Sequence, residues 1–175
     1  GGSWTYNGSA RSAAAEVKGA TGYTIYYKTG DGGWSTNVPS VTNVADGVKT
    51  VSVKATRTGY TDLVTKDVTI QITPKDAEIK VTGSWKYFDD PDPAFSGTVT
   101  GLVATNDLGI ISYRRTNADE AVGTYLKVLT ADYEANSNYN VTVVPGDFEI
   151  KTASIKDAKL EAAGGSWEYD GAAHS

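Results

Sequence analysis

Three copies of one short phrase, Gly-Ser-Trp-x-Tyr, constrain the architecture of this chain more than any other feature. They read Gly2-Ser3-Trp4-Thr5-Tyr6, Gly83-Ser84-Trp85-Lys86-Tyr87 and Gly165-Ser166-Trp167-Glu168-Tyr169, and the tryptophans stand 81 and 82 residues apart. A long fixed period marks a tandem array, in which each unit packs mainly on itself and its neighbours. The third copy, GGSWEYDGAAHS, echoes the opening GGSWTYNGSARS more closely than it echoes the middle copy. Two alternating module types are therefore expected, with the chain spanning one full period and the start of the next, as a fragment of something longer.

A second repeat places the boundaries. Lys75-Asp76-Ala77-Glu78-Ile79-Lys80-Val81 matches Lys156-Asp157-Ala158-Lys159-Leu160-Glu161-Ala162. Each module is thus expected to open on a Lys-Asp-Ala strand that runs into its tryptophan motif. On this reading residues 1–74 form a module lacking its first strand, residues 75–155 form a complete one, and residues 156–175 hold the opening strand and motif of the next. Ile72-Thr73-Pro74 joins the first two with no Gly/Ser-rich spacer, which predicts a stiff junction.

Within the modules, apolar residues alternate with polar ones. Val51, Val53 and Ala55 do so, as do Val68, Ile70 and Ile72, then Ala77, Ile79 and Val81, then Tyr139, Val141 and Val143. Period-2 patterning buries one face of a strand and wets the other. Further strands are expected over 23–28, 98–103, 110–114 and 124–130. Turns are expected at Gly30-Asp31-Gly32-Gly33, Ala45-Asp46-Gly47, Asp89-Asp90-Pro91-Asp92-Pro93 and Pro145-Gly146-Asp147. The fold class is all-β or mostly β: two tandem small β-sandwich-like modules in an elongated array. A β-grasp-like variant applies if the alanine-rich tract Ser12–Lys18 forms a short helix.

These blocks resemble a known family. Tyr87-Phe88-Asp89-Asp90-Pro91-Asp92-Pro93, Gly101-Leu102, Asp107, Val122-Gly123-Thr124-Tyr125, Asn138-Tyr139-Asn140-Val141 and Gly146-Asp147-Phe148-Glu149-Ile150 follow one another as in the YGX-type MBG modules repeated in bacterial surface proteins and adhesins. The family's Tyr-Gly pair is Tyr87-Phe88 here. Tyr6-Asn7-Gly8 and Tyr169-Asp170-Gly171 resemble the opening of the sister YDG-type module. The resemblance implies an extracellular, cell-wall-attached stalk or adhesive array on a bacterial surface, with neighbouring modules of the same parent chain as partners and no catalytic residues.

Function classes narrow further on composition. The 175 residues carry a formal charge of −5 with acidic and basic residues interspersed, so no basic patch for nucleic acid or anionic membrane is expected. With no cysteine and one histidine, His174, thiol catalysis, disulfide scaffolding and zinc-thiolate sites are excluded. No nucleophile elbow, phosphate loop or metal-binding histidine pair occurs, so no enzyme, cofactor or metal is expected. The carboxylates of Asp119-Glu120 read as solvated. The cluster Asp89-Asp90-Asp92 has calcium-like chemistry, but its prolines fit a structural turn better. A Lys–Asn isopeptide bond drawing on Lys80 or Lys127 with Asn138 or Asn140 is disfavoured, because alternation wets Lys80 and Asn140.

The aromatic residues divide into two sets. Trp4, Tyr6, Trp85, Tyr87, Trp167 and Tyr169 recur at matching positions and are expected in core or junction roles. Trp34 follows a glycine turn and, with Tyr26 and Tyr27, could form a stacking platform for a host glycan or protein. The displaced Lys-Asp-Ala strand carries a last expectation. The first module leaves an open groove, and the 156–175 tail of another copy fills it head to tail by strand addition.

Overall fold

The computed structural model describes residues 1–154 together with 168, 169 and 171. Its strands, in chain order, are β1 (Gly2–Thr5), β2 (Arg11–Ser12), β3 (Thr24–Thr29), β4 (Ser40–Val41), β5 (Lys49–Thr56), β6 (Leu63–Val64), β7 (Val68–Thr73), β8 (Lys75–Val81), β9 (Ser84–Tyr87), β10 (Gly97–Thr100), β11 (Ser112–Arg115), β12 (Gly123–Asp132), β13 (Tyr139–Val144) and β14 (Gly146–Lys151). Among the described residues the helical content is one 3-10 turn, Val44–Asp46. The protein is all-β. The Lys156 strand, Trp167 and His174 lie outside the described residues.

The alternation reads directly into strands. Val51, Val53 and Ala55 of β5, Ile70 and Ile72 of β7, and Ala77, Ile79 and Val81 of β8 are all buried. Full burial of an isoleucine such as Ile79 contributes about 1.5–3 kcal/mol. These side chains gather into two cores. One draws on β3, β5 and β7, with Ala13 and Val41. The other draws on β8, β12 and β14, with Leu108 and Tyr139. Tyr6 packs against both.

The two halves share a four-stranded sheet of the same connectivity. Its order is β3-β5-β7-β1 in the amino-terminal half and β11-β12-β14-β9 in the carboxy-terminal half. The last pair is parallel in each, β1 with β7 and β9 with β14. Ile25 opposite Ala55 and Tyr27 opposite Val53 correspond to Tyr113 opposite Ala131 and Arg115 opposite Leu129. In the carboxy-terminal half a three-stranded sheet, β10-β8-β13, adds its inward side chains to the same core. In the amino-terminal half, among the described residues, no strand takes the place of β8. The remaining pairings of this half are a short β2–β4 ribbon and β6 with β5.

Three expectations are corrected. Ser12–Lys18 forms no helix: Ser12 ends β2, the Ala13 N–H donates to the Pro39 carbonyl at 3.1 Å, and the Ala15 N–H donates to the Tyr27 hydroxyl at 3.0 Å. Contacts with the sheet override the helix preference of alanine. Pro145-Gly146-Asp147 is less a turn than the start of β14, whose Phe148 and Ile150 are buried. The third concerns Trp85 and follows from pairing register, below.

Candidate functional site

The distinctive site is the junction between the halves. β7 and β8 are separated by Pro74 alone, whose ring fixes φ and removes a backbone donor. Both flanking residues are pinned. The Thr73 carbonyl accepts from the Tyr6 N–H at 2.9 Å, and the Lys75 N–H donates to the Asn138 carbonyl at 2.9 Å. The Asn138 side chain, 8% exposed, then crosses to the other half. Its Oδ1 accepts from the Val44 N–H at 2.8 Å, and its Nδ2 donates to Asn43 Oδ1 at 3.0 Å. Alongside, the Tyr6 and Tyr139 rings meet edge to face with centroids 5.4 Å apart.

Asn43 is itself held in place. Asp46 Oδ2 accepts from the N–H groups of Thr42 at 2.6 Å and Asn43 at 2.9 Å, and these bonds lower the Asp46 pKa. Tyr139 is fixed from its own side. Its hydroxyl donates to Asp107 and accepts from the Val103 N–H at 2.8 Å, tying the 101–109 loop to the junction. Burial, and then the Asp107 bond, push its pKa up to about 12. Asn138, with both amide atoms engaged across the junction, is committed to this clamp and not to an isopeptide partner.

The acidic turn is also structural in its geometry. Asp92 pairs with Lys86 at 3.1 Å and with Arg115 at 3.0 Å, and Glu120 pairs with the same two cations. Lys86 is buried on β9, and the Arg115 guanidinium lies 4.9 Å from the Phe148 ring centroid. The Asp92 oxygens therefore face two cations rather than an open loop. Glu120, expected to be simply solvated, is half exposed and ion-paired. Its pKa is lowered by the Lys86 bond first and the Arg115 bond second. In the turn itself Asp89 adopts φ 66°, and the Phe88 N–H donates to the Lys151 carbonyl at 2.8 Å.

The repeated tryptophans do not share an environment. Trp4 stands opposite Ile72 and packs on the core, whereas Trp85 stands opposite Glu149 and is 47% exposed. A one-residue slip in pairing exchanges the two faces of a strand. The slip turns Lys86 inward to the carboxylates and leaves Trp85 and Tyr87 outside, edge to face at 5.2 Å, with the Lys151 ammonium 4.1 Å over the indole. Tyr87 is thus exposed, while Tyr6 serves the junction. Tyr169 is exposed as well.

Of the aromatic platform, Trp34 is 40% exposed and lies under the Lys54 ammonium at 4.8 Å, with Tyr26 5.8 Å from the same group. Tyr27 lies outside this patch: alternation along β3 buries it, and its hydroxyl serves Ala15. The residues that sequence reasoning missed are Asn43, Asp46, Tyr139 in its junction role, and the Lys86–Arg115 pair.

Among the described residues no group of metal-binding side chains occurs, and no helix is long and apolar enough to cross a membrane. Comparison with curated proteins and with solved structures gave no significant match. Residues 70–149 match the family model described as MBG domain (YGX type), so this stretch is similar to an MBG-type repeat module.

Proposed function

We propose that the chain is a non-catalytic spacer of a bacterial cell-surface, adhesin-like protein, carrying a distal binding domain away from a cell wall. In this reading residues 1–74 are a YDG-like module and residues 75–155 a YGX-type module, each passing force and direction to the next. The observation that carries the proposal is the junction. One proline separates β7 from β8, both its neighbours hold backbone bonds, and Asn138 reaches across to Asn43 and Val44. Such an arrangement costs little further entropy when the array is pulled straight, since the linker has almost no slack to lose. Small-angle scattering tests it: a rigid two-body envelope supports the spacer, and a broad ensemble of inter-body angles contradicts it.

A second reading has its own observation. Trp34, Tyr26 and Lys54 present two rings and an ammonium on one exposed surface. Aromatic faces with an adjacent cation suit stacking on a sugar or docking of a partner side chain. A glycan array probed with the native chain and with Trp34→Ala decides it. Saturable binding lost in the variant favours a binding module, and absence of binding leaves the spacer.

A further inference from the structure

We propose that Asn7-Gly8 is a self-modification site, where the folded chain converts an asparagine into aspartyl and isoaspartyl residues with water as co-reactant. The inference stands on the geometry of this turn and does not require the spacer reading. Asn-Gly occurs once in the sequence, directly after Tyr6 of the first tryptophan motif. Glycine has no Cβ to crowd its own nitrogen, and its backbone is free to turn that nitrogen toward the preceding side chain.

The turn presents each group that the reaction needs. Asn7, Gly8 and Ser9 are all exposed. Gly8 adopts φ 78°, and among the described residues its N–H donates to no acceptor, so the nucleophile is free. The Asn7 Nδ2, which must leave, makes no hydrogen bond among the described residues either, whereas Asn7 Oδ1 accepts from the Ser9 N–H at 3.1 Å. A backbone donor on that oxygen draws electrons from Cγ. It also stabilises the negative charge that develops on the oxygen as the nitrogen adds, since a charged acceptor is bound more strongly than a neutral one.

The step balances with water alone. The Gly8 nitrogen gives its proton to solvent base and bonds to Asn7 Cγ. The Cγ–Nδ2 bond breaks, and Nδ2 departs with a proton as ammonia. Water then opens the cyclic imide. Cleavage of the Gly8 N–Cγ bond yields aspartate in the ordinary main chain. Cleavage of the bond from the Gly8 nitrogen to the Asn7 main-chain carbonyl yields isoaspartate, whose main chain runs through Cβ and Cγ. Either product replaces a neutral amide by a carboxylate and makes the chain one charge more negative.

Asn136-Ser137 supplies the internal contrast. Asn136 Oδ1 accepts from the Asn138 N–H at 3.0 Å, the same kind of bond, but its Nδ2 is tied to the Asp107 carbonyl at 2.9 Å. The leaving group is held, the residue is half-buried, and its follower carries a side chain. The place of Asn7 gives the conversion its consequence. The Tyr6 N–H before it holds the Thr73 carbonyl at 2.9 Å, and a methyl group on Gly8 after it would lie 3.3 Å from Val103 Cγ1. The new charge and the isoaspartyl methylene therefore enter the seam between the halves.

The native full chain, incubated in mildly alkaline buffer made with heavy-oxygen water beside the same chain unfolded in urea, tests this by peptide mass mapping. In the folded chain Asn7 is expected to lose ammonia and take up the oxygen label, with isoaspartate among the products, while Asn136 reacts only on unfolding. Asn7→Gln is expected to remove the conversion. Ser9→Pro deletes the donor to Asn7 Oδ1. Normalised to its own unfolded rate, it is expected to slow the folded reaction about two- to tenfold, the scale of one hydrogen bond. Circular dichroism verifies the β signal of each variant. An Asn7 that keeps its amide in the folded chain while the unfolded chain reacts overturns the proposal. So does equal conversion of Asn136 in the folded chain, or a Ser9→Pro ratio equal to the native one.

Discussion

Asn138, which leads into β13, holds Asn43 across the module boundary: its Nδ2 lies 3.0 Å from Asn43 Oδ1 while its own Oδ1 receives the Val44 N–H. A single buried amide thereby fixes the angle at which two separate cores meet. Truncating this side chain to alanine removes the part-buried bond from the Val44 N–H, and losing one such hydrogen bond costs about 0.5–1.5 kcal/mol. Asn138→Ala is expected to lower the urea midpoint by that order and to broaden the angular distribution in scattering. A variant as rigid and as stable as the native chain would remove Asn138 from its role as clamp.

Tyr139 carries an alkaline signature. Its pKa is raised to about 12 from 10.0, by burial first and the Asp107 bond second. A raised tyrosine value favours folding while the hydroxyl keeps its proton. That contribution is complete below the unfolded value near 10 and is lost as pH climbs from there through about 12. Unfolding of the native chain is expected to become easier across this window, with a shallower decline in Tyr139→Phe. At neutral pH the variant loses one buried hydroxyl network, about 1–2 kcal/mol. Identical alkaline profiles would show that Tyr139 does not titrate in this way.

Glu120 predicts the acid limb. Its pKa is depressed by the Lys86 bond and then by Arg115. A depressed carboxylate stabilises the fold above its unfolded value and loses that contribution as pH falls through the folded value. Glu120→Gln is expected to flatten the decline in stability below the ordinary carboxylate range. Because Glu120 is half exposed, the effect is screened and diminishes with salt. An unchanged acid limb in the variant contradicts the ion cluster.

The register slip separates the two tryptophans. Trp4→Ala removes a ring packed on the core beside Ile72, whereas Trp85→Ala removes one from the surface. The first is expected to cost about 2–4 kcal/mol, near the range for large aromatic truncations, and the second under about 1 kcal/mol, the scale of an exposed cation–π contact. Thermal unfolding of both variants checks the difference. Equal losses would mean that the two strands pair in the same register.

Much of this fold was legible because β5, β7, β8 and β13 alternate cleanly, and a period of two admits one assignment. β14 was harder, since Pro-Gly-Asp is turn chemistry. Gly146 is there for a different reason: a methyl group on it would lie 2.9 Å from the Val81 carbonyl. The face of Trp85 was not legible, because motif identity says nothing about a one-residue shift in pairing. Nor was the clamp, since Asn138 sits in a turn-rich Asn-Ser-Asn-Tyr tract and its partners lie 94 and 95 residues away. The pairing of Lys86 and Arg115 with Asp92 and Glu120 likewise joins distant segments that no local pattern connects.

The rigidity of the Pro74 junction is most directly measured as a distance distribution between spin labels placed one in each half. Thr50→Cys on β5 and Glu149→Cys on β14 are exposed strand positions in a chain with no other cysteine. A clamped junction predicts one narrow distance peak in the native background and a wider one once Asn138→Ala is added. A broad distribution in the native background, unchanged by Asn138→Ala, would show two modules swinging freely about the proline and would contradict the spacer.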